Sequence, residues 1–407
     1  MISKLAKHPI NMIVIINTLA FLLLFFYRTP PNYQILFVGV SITILSVITY
    51  LAISFFNLGD RYLFIIASML ISIGVVMLCR LDYSMGIAQV GWYLISVCVF
   101  YAAYILYRYI NIWRFLKWFY FGLSVFLYIL TQVIGITING AKNWIMIGSL
   151  SFQPSEIIKI LFILFIAARL TGNNKKLFNL PENYTTALFS FVFMFFLILQ
   201  REWGLTLLYF LTYFTLTYIY DDDKIFLLAN ALVTAAVGAI GSLTMHHIAI
   251  RIKTWRNPWE DISNTGYQIT QSLFAIASGG FFGRGIGMGN PDFIPQANSD
   301  FIFSAICEEM GIFGGAAVIL LYFIFVYRGI KIALLLPEGF DKCVALGISI
   351  MFAFQTFIII GGVIKLIPLT GITMPFVSSG GSSLVTSFIS LGILQAVSAG
   401  RRQANDQ

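Results

Sequence analysis

The stretch that decides the fold is TTALFSFVFMFFLILQREWGLTLLYFLTYFTLTYIY, which occupies positions 185–220. It is apolar almost throughout, but Gln200, Arg201 and Glu202 interrupt it near its middle. A single helix over this stretch would be far longer than a bilayer requires, and it would place the three polar side chains in hydrocarbon. We therefore predict two membrane-spanning helices joined by a polar turn at 200–204.

The composition extends this interpretation to the whole chain. Of the 407 residues, 59% are hydrophobic and only 10% are charged, whereas about 25% of residues in soluble domains are charged. So much apolar surface indicates an integral membrane protein. The net charge of +8 then reflects basic residues in cytoplasmic loops rather than binding to nucleic acid, for which we expect no role. The four cysteines have no metal-site or disulfide spacing.

Apolar runs of spanning length predict an all-α polytopic bundle of about twelve transmembrane helices. Lys4 and Lys7 precede the first run, which we interpret as a retained span rather than a cleaved signal peptide. An even number of spans puts both termini on one side, and placing them in the cytoplasm puts most basic residues in the inner loops. The predicted spans are 10–27, 33–56, 62–80, 87–107, 115–135, 155–171, 185–200, 204–220, 225–247, 301–327, 342–363 and 383–399.

This topology places four polar islands on the outer face, at 139–156, 200–204, 246–300 and 365–383. The third is a large extracytoplasmic loop. Long charged or glycine-rich segments in such a chain are typical of functional sites. We therefore predict one extracytoplasmic site assembled from these islands.

The first two islands carry candidate binding residues. Glu156 and Lys159 share a helix face, and they form either an interfacial ion pair with Lys159 extending outwards or a pair facing a cavity, where Lys159 binds an anion such as phosphate. Trp144 is either an interfacial belt residue or a substrate contact. Gln200, Arg201 and Glu202 either form a tight turn in which Arg201 and Glu202 pair with each other, or brace the cavity wall.

The other two islands carry the candidate base and its surroundings. Asp300 lies at the mouth of a span, where burial would raise its pKa and suit it to general base catalysis; the alternative is a helix N-cap. Arg284 lies in a glycine-rich stretch, which is either a phosphate cradle or a flexible loop. Two prolines and three glycines exclude a regular helix around Ser378, Ser379 and Gly380, so this segment lines a cavity or is buried in protein.

The ordered set of motifs resembles the SEDS family (shape, elongation, division and sporulation; RodA/FtsW/SpoVE-type). The motifs are Gly140-Ala141-x-x-Trp144, Phe152-Gln153-Pro154-Ser155-Glu156-x-x-Lys159, Gly266-Tyr267-Gln268, Gly283-Arg284-Gly285, Ser299-Asp300-Phe301-Ile302-Phe303 and Pro368-x-Thr370-Gly371 with Gly380-Gly381-Ser382-Ser383. The family typically has ten spans. The resemblance implies that 81–407 form the family core and that 1–80 include two additional N-terminal spans.

The resemblance implies a peptidoglycan glycosyltransferase that polymerises lipid II at the outer face of the bacterial cytoplasmic membrane, together with a class B penicillin-binding protein. The family's essential aspartate corresponds to Asp300. Lys159 and Arg284 would offset the charge of the diphosphate leaving group. A divalent cation, Mg²⁺ or Mn²⁺, is a further candidate for that role, and no organic cofactor is expected. The alternatives are a lipid II flippase and a non-catalytic scaffold that activates a penicillin-binding protein.

Three positions depart from the family pattern. Asn143 stands where arginine usually precedes the tryptophan. Glu202 replaces an aspartate in the turn after the seventh span, and Lys365 occupies a position that is usually small or hydrophobic. These departures concern the subtype (elongation, division or sporulation) more than the activity.

Overall fold

The computed structural model describes residues 9–27, 31–138, 140–148, 150–172 and 181–405. Lys4 and Lys7, Asn139 of the first island and the segment 173–180, which is predicted to lie in an inner loop, fall outside these ranges. The helices are α1 (Ile10–Tyr27), α2 (Tyr33–Phe55), α3 (Arg61–Leu81), α4 (Tyr83–Tyr109), α5 (Lys117–Ile134), α6 (Pro154–Leu170), α7 (Glu182–Leu199), α8 (Trp203–Tyr220), α9 (Lys224–Thr244), α10 (His246–Arg256), α11 (Tyr267–Gly279), α12 (Ile302–Leu334), α13 (Phe340–Val363) and α14 (Gly381–Asn405).

Each of the twelve predicted spans coincides with a helix, which confirms the all-α membrane fold. Within the described part of the chain, ten of these helices are long and apolar enough to cross a bilayer. The other two are α6, which has 17 residues and carries Glu156, Lys159 and Arg169, and α8, which is rich in threonine and tyrosine. Ten helices therefore have the length and composition of membrane spans, and the count of twelve crossings stays a prediction.

The long polar segment at 246–300 differs from the predicted loop. It contains the helices α10 and α11 and two short 3₁₀ helices, Pro258–Asp261 and Pro291–Phe293. These helices are hard to predict from the sequence because they contain no apolar run of spanning length. In α11, for example, polar and apolar residues alternate over Tyr267, Ile269 and Thr270. The segment is thus mostly a folded layer of short helices.

A small antiparallel sheet, absent from the prediction, runs through the first island. Its strands are β1 (Ile136–Ile138), β2 (Ala141–Ile147) and β3 (Leu150–Phe152), in the order β1-β2-β3. Gly140 and Gly148 adopt positive φ angles of 81° and 64° at the two turns, which glycine accommodates without steric cost. The β-branched residues of Ile136–Ile138, followed by Asn139-Gly140, are a hairpin signal that apolar run lengths do not detect.

The chain forms two compact units. The first comprises Met1–Ala103, Arg251–Phe325 and Ile359–Gln407. In it, α3 and α14 bury most of their spanning residues, whereas α1 and α2 leave a broad apolar face exposed. Phe21 packs against Gly39, and Asn17 donates a hydrogen bond to Thr43 at 3.2 Å. These contacts join α1 to α2.

The second unit comprises Tyr104–Ile250 and Val326–Ile358. Its centre is α6, which is buried over nearly its whole length. Phe162 of α6 stacks on Tyr209 of α8 with ring centroids 4.4 Å apart. The antiparallel hairpin of β1 and β2 precedes α6 and brings the first polar island to the N-terminal end of that helix.

Candidate active site

Asp300 lies in a turn immediately before α12, within the first unit. Two hydrogen bonds connect this turn to the fourth island. Ser378 Oγ donates to the Ser299 carbonyl at 2.7 Å, and Ser379 N donates to the Asn298 carbonyl at 2.8 Å. The Ser378 hydroxyl also accepts a bond from Met374 N at 3.0 Å. Two of the predicted supporting residues therefore fix the backbone beside Asp300, and Gly380 follows them at the start of α14.

The helix-cap alternative for Asp300 does not match the geometry. None of the described backbone N–H groups at the start of α12 donates to its carboxylate; Ser304 N and Ala305 N bond to the Phe301 carbonyl instead. Asp300 itself is only partly exposed. Its carboxylate therefore does not cap α12, and its oxygens can accept a proton.

Arg251 of α10 is the residue that the sequence prediction missed. A Cβ placed on Gly371 would lie 3.4 Å from Arg251 Nη2 and 3.6 Å from Asp300 Oδ2, so both groups border the same small space above this glycine. Gly371 has a φ of 74°, a conformation that favours glycine. The signal that could have identified Arg251 is its place as a cation in the same polar island as Asp300, but pairing the two residues requires the tertiary structure.

Two hydrogen bonds anchor α10 to the fourth island. Arg251 Nη1 donates to the Thr370 carbonyl at 3.0 Å, and Trp255 Nε1 donates to the Lys365 carbonyl at 3.1 Å. Lys365 adopts a positive φ of 63°, which is uncommon for a residue with a side chain. The third and fourth islands thus meet around Asp300.

The environment of Asp300 favours a proton acceptor that titrates near neutrality. Burial raises the pKa of this carboxyl from 3.8 to about 6, although the nearby Arg251 guanidinium and the Ser299 hydroxyl oppose the rise. A general base is most effective when its pKa approaches the working pH. The raised pKa expected from the sequence is therefore present.

The glycine-rich loop (279–289) is held by two buried glutamates. Gly287 N donates to Glu309 Oε2 and Asn290 N donates to Glu308 Oε1, each at 2.9 Å. Arg284 N and Gly285 N donate to the carbonyls of the same two glutamates at 3.0 Å. These four amides are thus hydrogen-bonded within the protein, and phosphate binding by the loop stays a prediction.

Arg80 and Arg284 pair with the same glutamates. Arg80 Nε lies 2.9 Å from Glu309 Oε1, and its Nη2 donates to the Gly289 carbonyl at 2.8 Å. Arg284 Nη1 lies 3.9 Å from Glu308 Oε1, with the Arg284 side chain 43% exposed. The predicted diphosphate ligand Arg284 therefore already has a carboxylate neighbour.

Glu202 is the centre of a buried polar cluster in the second unit. Its Oε1 accepts hydrogen bonds from Asn143 Nδ2 and from Gln153 Nε2, the latter at 2.7 Å. Burial is the largest cause of the raised pKa of this carboxyl, which its hydrogen bonds partly oppose. Two of the positions that depart from the family pattern, Asn143 and Glu202, thus contact each other directly.

The other residues of the predicted turn have different partners. Arg201 is exposed, has a φ of 62° and donates towards the Gly140 carbonyl at 3.5 Å, so it does not pair with Glu202. Gln200 is buried at the C-terminal end of α7. The alternative in which Arg201 and Glu202 pair with each other is therefore wrong. The turn instead contacts the small sheet, through Gly140 and Asn143.

Lys159 and Glu156 form the predicted pair, three residues apart on α6. Lys159 Nζ lies 2.8 Å from Glu156 Oε2 and 3.3 Å from Gln355 Oε1. Both side chains are at least nine-tenths buried, so Lys159 does not extend outwards. Trp144 lies on β2 opposite Ile136 and is partly buried.

The predicted site residues are distributed over both units. The first unit contains Asp300, Arg284, Ser378, Ser379 and Gly380, and the second contains Trp144, Glu156, Lys159, Gln200, Arg201 and Glu202. The assembly of all four islands into one site stays a prediction. In the part of the chain that the structure describes, no group of three or more His, Cys, Asp or Glu side chains is arranged to hold a metal ion.

Comparisons with known proteins agree with this architecture. Residues 60–403 match the family of cell cycle proteins that comprises FtsW, RodA and SpoVE. The chain is 37% identical over 277 residues to the peptidoglycan glycosyltransferase RodA of Mycobacterium bovis, an alignment that covers 65% of this chain and 59% of that relative. It is 37% identical over 278 residues to the stage V sporulation protein E of Bacillus subtilis, covering 66% and 75% of the two chains.

Solved structures share the fold. One is a chain of a peptidoglycan synthase complex that coordinates polymerization and crosslinking, with a TM-score of 0.71, 24% identity and coverage of 85% of this chain and 99% of that one. Another is the crystal structure of the rod shape determining protein RodA of Thermus thermophilus, with a TM-score of 0.60, 24% identity and coverage of 84% and 97%. With the family match over residues 60–403, these findings establish that the chain belongs to the FtsW/RodA/SpoVE family of cell cycle proteins.

Proposed function

We propose that this protein is a peptidoglycan glycosyltransferase that polymerises lipid II. The observation that carries the proposal is Asp300, a partly buried carboxylate at the start of α12 whose pKa is raised to about 6 and which faces the Arg251 guanidinium. The name of the mycobacterial relative, peptidoglycan glycosyltransferase RodA, supports it. That relative is matched over 59% of its length, so the activity of the whole relative comes to this chain as a proposal.

The proposed reaction is an inverting glycosyl transfer. The Asp300 carboxylate accepts the proton of the acceptor sugar hydroxyl as its oxygen attacks the anomeric carbon of the donor. The new glycosidic C–O bond forms while the bond from that carbon to the diphosphate breaks, and the electron pair leaves with the polyprenyl diphosphate. A single base and a good leaving group suffice, so no covalent enzyme intermediate is needed.

Charge on the leaving group needs cationic neighbours that are in place before reaction. The sequence assigns this role to Lys159 and Arg284, each of which has a carboxylate neighbour in the fold. Trp144 is the proposed contact to sugar or lipid. Participation of Mg²⁺ or Mn²⁺ is a separate proposal, measured as the dependence of the rate on each added cation.

We further propose that the chain resides in the bacterial cytoplasmic membrane with both termini inside and the Asp300 site outside. The distribution of basic residues in the short loops supports this orientation. A class B penicillin-binding protein is the proposed partner. The likeness in fold to a chain of a peptidoglycan synthase complex is consistent with such a partner.

The test is polymerisation of labelled lipid II by the purified full chain, alone and with a penicillin-binding protein whose own transferase sites are defective. We expect glycan strands from the wild type. The Asp300→Asn variant, prepared identically, excludes a co-purified polymerase. Absence of polymer from the wild type under both conditions would contradict the proposal and favour a lipid II flippase or a scaffold, which vesicle transport of labelled lipid II then distinguishes.

A further inference from the structure

Arg251 differs from the other basic residues considered for the leaving group. Lys159 is neutralised by Glu156 at 2.8 Å, and Arg284 has Glu308 at 3.9 Å. No carboxylate in the described part of the chain forms an ion pair with Arg251. It is therefore a cation held next to Asp300 without a partner of opposite charge in contact.

The position of Arg251 is fixed while most of its donors are unused. A guanidinium has five N–H donors in a planar fork, and the described contacts of Arg251 use Nη1 for the Thr370 carbonyl at 3.0 Å. Its Nη2 points to the space above Gly371 that Asp300 Oδ2 also borders. An anion bound there would contact the cation and adjoin the base.

We propose that Arg251 binds the diphosphate of the polyprenyl-linked donor beside Asp300, taking the role that the sequence assigns to Lys159 and Arg284. The planar fork matches the geometry of phosphate oxygens and bonds them in pairs. The absence of a side chain at Gly371 keeps this space open. This inference rests on the proposed glycosyl transfer.

Arg251 then has a defined part in the reaction. When the bond from the anomeric carbon to the diphosphate breaks, the leaving oxygen gains negative charge, and the guanidinium N–H groups stabilise it. The proton from the acceptor hydroxyl is on Asp300 at that moment. Asp300 thus becomes neutral as the diphosphate gains a negative charge, and Arg251 stabilises the negative charge at its new place.

The test compares the variants Arg251→Gln and Arg251→Lys in the full chain. Binding is measured with farnesyl diphosphate as a soluble polyprenyl diphosphate, with farnesol as the control for prenyl binding. We expect Arg251→Gln to weaken farnesyl diphosphate binding by about tenfold or more, since a charge-assisted hydrogen bond contributes roughly tenfold, and to reduce lipid II polymerisation about 100-fold. Arg251→Lys should recover part of the affinity because it keeps the charge but not the fork.

The matched control is Arg256→Gln, which removes an exposed cation from the same helix, α10. It should leave affinity and rate unchanged. Wild-type affinity of Arg251→Gln for farnesyl diphosphate would overturn the inference even if polymerisation fell, because Arg251 would then act only through Asp300. Should Arg251→Gln not fold, Arg251→Ala takes its place, and wild-type affinity of that variant for farnesyl diphosphate would equally overturn the inference.

The same measurements separate this inference from the proposed function. Loss of farnesyl diphosphate affinity in Arg251→Gln, together with a wild-type protein that makes no polymer, would support the diphosphate site and contradict the polymerase. Polymer from the wild type with unchanged affinity in the variant would support the polymerase and contradict the diphosphate site.

Discussion

At the scale of single residues, Asp300 determines how activity depends on pH. The base must be deprotonated to accept a proton, so the rate falls as pH falls through the pKa of the free enzyme. With burial raising that pKa to about 6 against the opposing effects of Arg251 and Ser299, we predict an acid limb centred near pH 6. Initial rates of lipid II polymerisation between pH 4.5 and pH 8 measure it. An acid limb centred near pH 3.8, the ordinary pKa of an aspartate side chain, would contradict the buried environment of this carboxyl.

Glu202 makes a second residue-scale prediction, on stability. Its folded-state pKa is raised by burial above the ordinary value of 4.5. Its contribution to stability is therefore fully present below about pH 4.5 and is lost as pH rises through the raised pKa. Glu202→Gln keeps an Oε1 acceptor for Asn143 and Gln153 without the charge. We expect its thermal unfolding temperature to rise relative to that of the wild type as pH increases from about 4.5.

The comparison needs a control for pH effects elsewhere in the molecule. Glu260 of the short 3₁₀ helix Pro258–Asp261 forms an exposed ion pair with Lys253. Exposed pairs contribute little to stability, so Glu260→Gln should stay close to the wild-type profile. A Glu202→Gln variant that loses stability against the wild type as pH rises would show that the ionised Glu202 is the preferred form.

Asn143 and Glu202, which both depart from the family pattern, are related by a contact that the sequence alone does not reveal. They lie 59 positions apart, and each looks like an independent change. In the fold they share a hydrogen bond, because β2 and the turn before α8 meet at the N-terminal end of α6. The sequence predicted both positions as unusual, but only tertiary contact relates them.

At the scale of elements, α3 packs closely against the fourth island. A Cβ on Gly74 of α3 would come within 2.3 Å of the Val377 carbonyl oxygen. We predict that Gly74→Ala destabilises the protein by about 1–3 kcal/mol, the usual cost of overpacking, and displaces the turn that supports Ser378. Thermal unfolding in detergent measures the loss.

Gly91 of α4 supplies the matched control, since a Cβ there would meet nothing within 4 Å. Gly91→Ala should be neutral or slightly stabilising because alanine has the better helix propensity. Equal unfolding temperatures for the two variants would mean that α3 does not approach Val377 as closely as described.

Elements also mark the limit of prediction from the sequence. Long apolar runs predicted helix positions to within a few residues at most boundaries, because hydrocarbon thickness imposes a minimum length. Shorter elements escaped this criterion. The strands at 136–152 and the helices α10 and α11 lie outside the apolar runs, and it is α10 that carries Arg251. The cation beside the predicted base was therefore one that span counting could not find.

At the scale of the whole molecule, α1 and α2 lie before the family match, which begins at residue 60. They nevertheless pack within the first unit, where a Cβ on Gly287 of the glycine-rich loop would come 2.6 Å from Tyr27. The sequence predicted two additional N-terminal spans from the resemblance. The boundary at 80 between these spans and the family core stays a prediction.

Sidedness is the whole-molecule property that the proposed function requires. Asp222 and Ser263 are exposed positions on either side of α9, so they lie on opposite sides of the membrane if α9 spans it. We predict that a membrane-impermeant thiol reagent labels Ser263→Cys in intact cells and labels Asp222→Cys only after permeabilisation. Exposed Cys98 is replaced by alanine in both variants. Labelling of both positions in intact cells would contradict the orientation.

The central claim is that Asp300 is the base of a lipid II polymerase. The most direct measurement compares lipid II polymerisation by Asp300→Ala and Asp292→Ala, since Asp292 is an exposed aspartate of the same segment with a side chain 67% exposed. Both variants should unfold at the wild-type temperature. The account predicts wild-type polymer from Asp292→Ala and none from Asp300→Ala, and wild-type polymer from Asp300→Ala would contradict it.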